Sequence, residues 1–437
     1  MTPILISLAV VGYALVSRRL APTPVTGAMI FMVLGVLLGP TALDMIHGPD
    51  DQHAIALLLE VTLALVLFTD SLAISAGDWR AKSRLPSRLL LIGMPLTMIM
   101  GWLFGLILFS AIDVWSVALV AICLAPTDAA LGQAVVTSPK VPSAIRQALN
   151  IESGLNDGLA LPFFVLALAA AVESAESGAP GLVGVFARSL VLAAIVGGLL
   201  GWLGARAIGW SRDRGWVGRE WSQIATLALV FLAFTIADSA EGSGFIATWV
   251  AGVTFGRVLK DQAKESALFA EDLGGLLAPL SFLGFGAILL GPLLDDVTWQ
   301  AVAYGVLSLT VVRILPVAVS LLGTGLARPT VLFAGWFGPR GLASIVFGLL
   351  LAEEALPHGS LILQAVFVTV ALSVLLHGAT AVWGANRYGK WYEQATAAGR
   401  HLPESDDVGE PSVRRRLVVH GGPHYPTAGG DEHQPDG

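Results

Sequence analysis

The sequence predicts an all-α polytopic membrane protein with about thirteen transmembrane helices. Three observations lead there. The 437 residues are 55% hydrophobic and only 13% charged, with a mean hydropathy of +0.75, whereas a soluble domain carries about a quarter charged residues. Apolar runs of roughly 18 to 28 residues recur along the chain, and each can cross the ~30 Å hydrocarbon core. The connecting loops alternate between basic and acidic. A large soluble helical enzyme would need polar helix faces, and these are nearly absent.

The spans fall, in order, at roughly 2–17, 24–41, 54–76, 86–110, 114–136, 144–173, 181–207, 221–238, 244–259, 270–293, 299–325, 330–352 and 360–384. Arg18 and Arg19 follow the first. Arg80, Lys82, Arg84 and Arg88 follow the third, and Lys140 and Arg146 the fifth. Arg206, Arg212, Arg214 and Arg219 follow the seventh, Arg257, Lys260 and Lys264 the ninth, and Arg328 the eleventh. Arg387, Lys390, Arg400 and Arg414 to Arg416 lie beyond the last. The other loops hold acids, among them Asp50, Asp51, Asp113, Glu173, Glu176, Asp238, Glu241, Asp295, Asp296, Glu353 and Glu354.

All but three of the 25 Lys and Arg therefore sit on one side, the exceptions being Arg188, Arg313 and Arg340 within spans. The positive-inside rule then places the C-terminus in the cytoplasm and the N-terminus outside, in the cell (inner) membrane. The first span lacks a basic start and is followed by arginines, as expected of a retained helix rather than a cleaved signal. Cys123 is the only cysteine, so no intrachain disulfide forms. Neither a cofactor nor a nucleic-acid partner is expected.

Residues 385–437 change character. They are polar and rich in Gly and Pro, and read as a disordered cytoplasmic tail. Arg414 to Arg416 suit a solvated tail, with contact to anionic lipid as the other reading. The spacing of His420, His424 and His433 fits no standard metal-ligand set.

Two spans are interrupted. "APTDAA" (Ala125 to Ala130) breaks the fifth and "FGPRGLAS" (Phe337 to Ser344) the twelfth. Proline removes a backbone donor and clashes with the preceding turn, and glycine loosens the helix. Each break falls in the fifth span of a six-span set, which gives two repeats of opposite orientation, about 1–174 and 221–384, joined by a linker helix at about 181–207. Paired interrupted helices mark the midplane site of an inverted-repeat transporter.

The stretch "NIESGLNDGLALPFF", residues 150–164, carries Glu152, Asn156 and Asp157 inside the sixth span. A charge at the bilayer centre costs about 2.5–3.5 kcal/mol on insertion scales, so each needs a partner, a cavity or a proton. One assignment meets most of these demands. Glu152 pairs with Arg340 as a structural ion pair holding the repeats together. Asp157 is then neutralised by a proton or by a small cation, one excluding the other. Hard cations prefer oxygen, which Ser153, Asp70 and the carbonyls freed around Thr127 supply. Asp128 fits two roles, a cation contact or an acceptor for the broken backbone. Asp70 fits a ligand or an interfacial acid, and Arg313 a tuning charge or a helix-end stabiliser.

On "APTDAA", "ESGLNDG" and "FGPRGLAS", with "LFTDSLA" in the third span, residues 1–384 resemble NhaP-type sodium/proton antiporters of the monovalent cation:proton antiporter superfamily. The resemblance implies a six-helix core moving against a dimerisation domain in an elevator-like step, and a homodimer. It implies exchange of Na+ or Li+ for H+, with K+/H+ exchange as the alternative. It assigns cation or proton to Asp157 with Asn156 beside it, ligation to Ser153 and the Thr127 main chain, support to Asp128, and an ion pair to Glu152 and Arg340. An Asn-Asp pair in place of Asp-Asp implies electroneutral one-for-one exchange. The chain departs from the pattern in having Asp70 where Glu is usual, and Ala129 and Ala130 where Pro and Val commonly follow the acid. A cation channel would need filter loops that are not visible. Another inverted-repeat carrier, for organic anions, would want cationic site residues. An intramembrane aspartyl protease would need Tyr-Asp and Gly-x-Gly-Asp motifs that are absent.

Overall fold

A computed structural model describes residues 2–20, 23–46, 49–72, 84–175, 181–354, 356–399 and 402–405. Arg80, Lys82, Glu176, Arg400 and the stretch 406–437, with Arg414 to Arg416 and the three histidines, lie outside them. The described chain is helical, and each of the thirteen expected segments carries helix.

The helices are α1 (Thr2–Leu20), α2 (Gly27–Leu38), α3 (Pro49–Ser71), α4 (Arg84–Leu108), α5 (Val114–Cys123), α6 (Gln133–Val136) and α7 (Ser143–Ala175). Then come α8 (Leu182–Asp213), α9 (Arg219–Ser239), α10 (Gly244–Leu259), α11 (Asp261–Gly284), α12 (Trp299–Leu309) and α13 (Val311–Ser320). The last are α14 (Arg328–Trp336), α15 (Leu342–Glu353) and α16 (Gly359–Ala397). Eight helical stretches are long and apolar enough to cross a membrane, and α2, α5, α10 and α15 are shorter apolar helices.

Helix starts follow local chemistry. The side chains of Asp113, Ser243 and Thr298 accept backbone N–H groups at the heads of α5, α10 and α12, satisfying donors that the first turn leaves orphaned. Packing between helices relies on small residues. A Cβ on Gly197 or Gly201 of α8 would lie 2.1 and 2.4 Å from the carbonyl oxygens of Ala247 and Ala251 of α10. The two backbones touch there as small-residue faces allow in membranes.

Two groups of helices result. One joins α2, α3 and α8 to α11; the other joins α4, α5, α7 and α12 to α16. They meet where α7 and α15 pack on α3 and where α7 packs on α8. Stacked rings of Phe164 and Phe347, 4.8 Å apart, fasten α7 to α15. In the most apolar stretch of α8 only 11% of residues are buried, so that helix turns its side chains outward. At its end near the basic loops, Arg214 lies over Trp210, 4.1 Å from the ring centre, as amphipathic groups do at a bilayer boundary.

The expectation of disorder from residue 385 needs correction. Helix α16 runs on to Ala397, with Tyr388 stacked on Phe333 at 4.3 Å and Lys140 donating to Asn386 at 2.7 Å. Residues Pro403–Ser405 then turn back, and Glu404 is buried. Its carboxylate accepts the backbone N–H of Ala327 (2.8 Å) and the hydroxyl of Thr330 at the head of α14. An acid at a helix N-terminus meets orphan donors and a favourable dipole, and this cap fastens the segment to the bundle.

Candidate functional site

Both expected breaks are present, and they cross. Helix α5 stops at Cys123, and residues 124–132 are non-helical; α14 stops at Trp336, and residues 337–341 are non-helical before α15 begins. Each break answers the other's exposed backbone groups. Asp128 N–H donates to the Pro339 carbonyl (2.7 Å), and Leu342 N–H donates to Asp128 Oδ2 (3.2 Å). Ser344 Oγ donates to the Cys123 carbonyl at 2.6 Å. Asp128 Oδ1 accepts the N–H of Ala130 at 2.7 Å. Asp128 is thus the acceptor of broken backbone in both spans. Buried backbone groups need such partners in the membrane. Gly341 makes the approach possible, because a Cβ there would lie 2.2 Å from Asp128 Oδ2.

Helix α7 brings the rest. Glu152, Ser153, Asn156 and Asp157 are all buried, as is Thr127 in the break. The Thr127 hydroxyl lies 2.9 Å from Ser153 Oγ and accepts from Asn156 Nδ2 at 2.7 Å. Asn156 therefore steadies the fifth-span break, and the Thr127 side chain is engaged with its neighbours.

A small cavity, with room for about one water molecule, is lined by Asp70, Asp128, Ser153 and Asp157, with Val66, Ala129, Ala278 and Leu342 as its apolar walls. The third-span acid lies against α7 there, since a Cβ on Gly154 would meet Asp70 Cγ at an ordinary contact distance of 3.5 Å. A second small space shares Asp128, Ala129 and Ser153, and runs to Val135, Val136, Leu149 and Pro339. No three His, Cys, Asp or Glu side chains among the described residues converge tightly enough to hold a metal. The cavity thus offers dispersed oxygen atoms, a set that suits a weakly held monovalent cation with water better than a resident divalent ion.

The pairing of Glu152 with Arg340 is overturned. Glu152 instead takes a two-pronged bond from Arg313, at 2.6 and 2.9 Å, with both side chains 2% exposed. Arg313 projects from α13 across the twelfth-span break, where Gly338 makes way: a Cβ there would meet Arg313 Nε at 2.3 Å. Arg340 curls back on its own break. Its Nη1 donates to the Gly338 carbonyl (3.0 Å), and its N–H donates to Ser373 Oγ (2.6 Å). The carbonyl that it meets lies two residues past the end of α14. Sequence reasoning saw Arg313 but missed its role. The available signal was that two mid-span arginines share one deeply placed glutamate, with a glycine in the break between them.

Three comparisons bear on this arrangement. A family model described as "Sodium/hydrogen exchanger, transmembrane" matches residues 5–386. A curated relative, the "K(+)/H(+) antiporter NhaP" of Alkalimonas amylolytica, is 23% identical over 395 residues, covering 89% of this chain and 65% of its own. The "Na(+)/H(+) antiporter 2" of Zygosaccharomyces rouxii is 27% identical over 231 residues, half of this chain and 27% of its own. The chain thus spans under two thirds of these relatives' length. The sodium proton antiporter MjNhaP1 of Methanocaldococcus jannaschii, solved at pH 8, superposes with a TM-score of 0.70 at 19% identity, over 86% of this chain and 98% of that one, so the two share a fold. The crossed breaks lie within the matched region, and with residues 5–386 covered by its model the chain belongs to the sodium/hydrogen exchanger family of transmembrane proteins.

Proposed function

We propose that the chain exchanges a monovalent cation for protons, and that Asp157 carries one or the other in turn. The observation that carries this reading is the cavity that gathers Asp157, Asp70, Asp128 and Ser153 beside two crossed breaks. A carboxylate facing such a space is neutralised by a proton or by a small cation, and binding one expels the other. Ser153 and Asp70 ligate the cation with the main chain at Thr127, while Asp128 and Asn156 hold the break that supplies that carbonyl.

We take Na+ or Li+ as the cation and a one-for-one electroneutral stoichiometry, since Asn156 leaves Asp157 as the titrating member of its pair. K+ is the second reading, favoured by the printed activity of the Alkalimonas relative. The group of spans four to six and eleven to thirteen is the moving core of an elevator, and the other group its scaffold. A homodimer is supported by the outward-facing α8. The membrane is the cell (inner) membrane, and the basic loops and the C-terminus face the cytoplasm. The second space runs from Asp128 to Val135, Val136 and Leu149, and Lys140 and Arg146 fall in the stretch of sequence between the last two. The test is a pH-dye assay in proteoliposomes given Na+, Li+ or K+ in turn. Dequenching by a cation supports exchange and names the substrate, and no response to any of them contradicts it.

A further inference from the structure

We propose that His377, with Ser373, is a positioning residue for the cation site: it splints the uncoiled stretch of the twelfth span from α16. Both side chains are buried, at 1% and 0% exposure. They grip the stretch at its two ends. At the far end, Ser373 Oγ accepts the Arg340 N–H at 2.6 Å. At the near end, His377 Nε2 lies 2.9 Å from the Trp336 carbonyl, the last of α14. The rings of His377 and Trp336 are 5.1 Å apart, and Trp336 Nε1 donates to Thr380 Oγ1 at 3.0 Å. Positions 373, 377 and 380 share one face of an uninterrupted helix.

The network fixes the tautomer. The Trp336 carbonyl can only accept, so the His377 proton sits on Nε2, and the bare Nδ1 accepts from Ser373 Oγ, 3.1 Å away. Nε2–H then donates to Trp336. The opposite tautomer, donating from Nδ1 to the Ser373 carbonyl 3.0 Å away, would set an Nε2 lone pair against the Trp336 carbonyl.

The splint bears on the site through Pro339. That residue lies between the two gripped ends, and its carbonyl receives the Asp128 N–H at 2.7 Å. Leu342, just past the stretch, donates to the same Asp128. Displacing the stretch therefore moves Asp128 and the adjoining Thr127 peptide, the proposed main-chain ligand. Cation affinity is the quantity that should respond, since the splint touches neither Asp157 nor the cavity.

The inference rests on the transport reading, so wild-type exchange is established first with Na+, Li+ and K+. The cation that works is then titrated against H377A, H377Q and S373A in proteoliposomes, and against thermal stability of the same purified proteins. H377A should raise the half-maximal cation concentration about tenfold, as expected for a lost buried hydrogen bond, while maximal rate stays within about twofold. H377Q, whose amide donates toward Trp336, should recover to within about threefold. The H377A/S373A double variant should be no worse than the weaker single, because both hold one stretch. Should H377A fail to insert, S373A carries the test through the same shift in half-maximal concentration. An unchanged half-maximal concentration in H377A or S373A overturns the proposal. So does a fall in rate and stability that H377Q does not rescue. Failure of the wild type to exchange any of the cations overturns the transport reading instead.

Discussion

Glu152 and Asp157 are both buried acids on α7, five residues and about 140° of helix apart. Glu152 faces α13 and is locked by the Arg313 fork. Asp157 faces a cavity that it shares with Asp70, Asp128 and Ser153. Glu152 is thus held in an ion pair, whereas Asp157 is the acid that we propose exchanges its partner. What separates them is whether the facing surface is a fixed guanidinium or a small cavity lined by other side-chain oxygens.

That contrast is broken most severely at Asp157. Asp157→Asn should abolish exchange, by about a hundredfold or more, because an amide neither releases a proton nor balances a cation. The purified variant should remain folded. Exchange at the wild-type rate would remove Asp157 from the transport cycle.

The opposite face should show the opposite phenotype. Glu152→Ala and Arg313→Ala should each cost about 3–5 kcal/mol of stability, because each strands a buried charge. A double-mutant cycle should return strong coupling for Glu152 with Arg313, and Arg340→Ala should couple to Glu152 more weakly. Additive losses at 152 and 313 would show that the observed fork contributes nothing.

A smaller effect is expected where the two breaks meet. Gly341→Ala should cost about 1–3 kcal/mol by overpacking, since its Cβ would press on the Asp128 carboxylate. Cation affinity should fall with it. A neutral outcome in both measurements would mean that Asp128 has room to retreat.

The smallest effect lies farthest from the cavity. Glu404→Ala should lower stability by about 1 kcal/mol through loss of the α14 cap, with cation affinity unchanged. A shift in affinity without loss of stability would show that the docked segment acts on transport.

These regions differed in how far the sequence disclosed them. The breaks were legible because Pro126, Gly338, Pro339 and Gly341 are local signals inside apolar runs. Asp157, Ser153, Asp128 and Asp70 were legible as polar groups in apolar spans, and the structure gathers them at one cavity. The choice of Arg313 over Arg340 was not legible. Both arginines are mid-span, and only the crossing of α13 over Gly338 decides which one reaches Glu152. The role of Asn156 was likewise hidden, since its bond to Thr127 joins separate spans. The end of α16 was missed because its polar composition past the bilayer masks a helical pattern of buried Ala385, Tyr388 and Ala395. Glu404 lies 77 residues from the amide that it caps, a pairing that no local pattern announces.

The central claim is that cation and proton compete for one carboxylate. The most direct measurement is the pH profile of exchange at cation concentrations spanning about a hundredfold. Competition predicts a bell-shaped profile, because the return step needs a protonated carrier at high pH. Below the carboxylate's titration range, apparent cation affinity should weaken by up to about tenfold per pH unit, because one proton must leave for each cation bound. The acid limb should therefore move to lower pH as cation concentration rises. An acid limb that stays fixed across that range would contradict competition at Asp157.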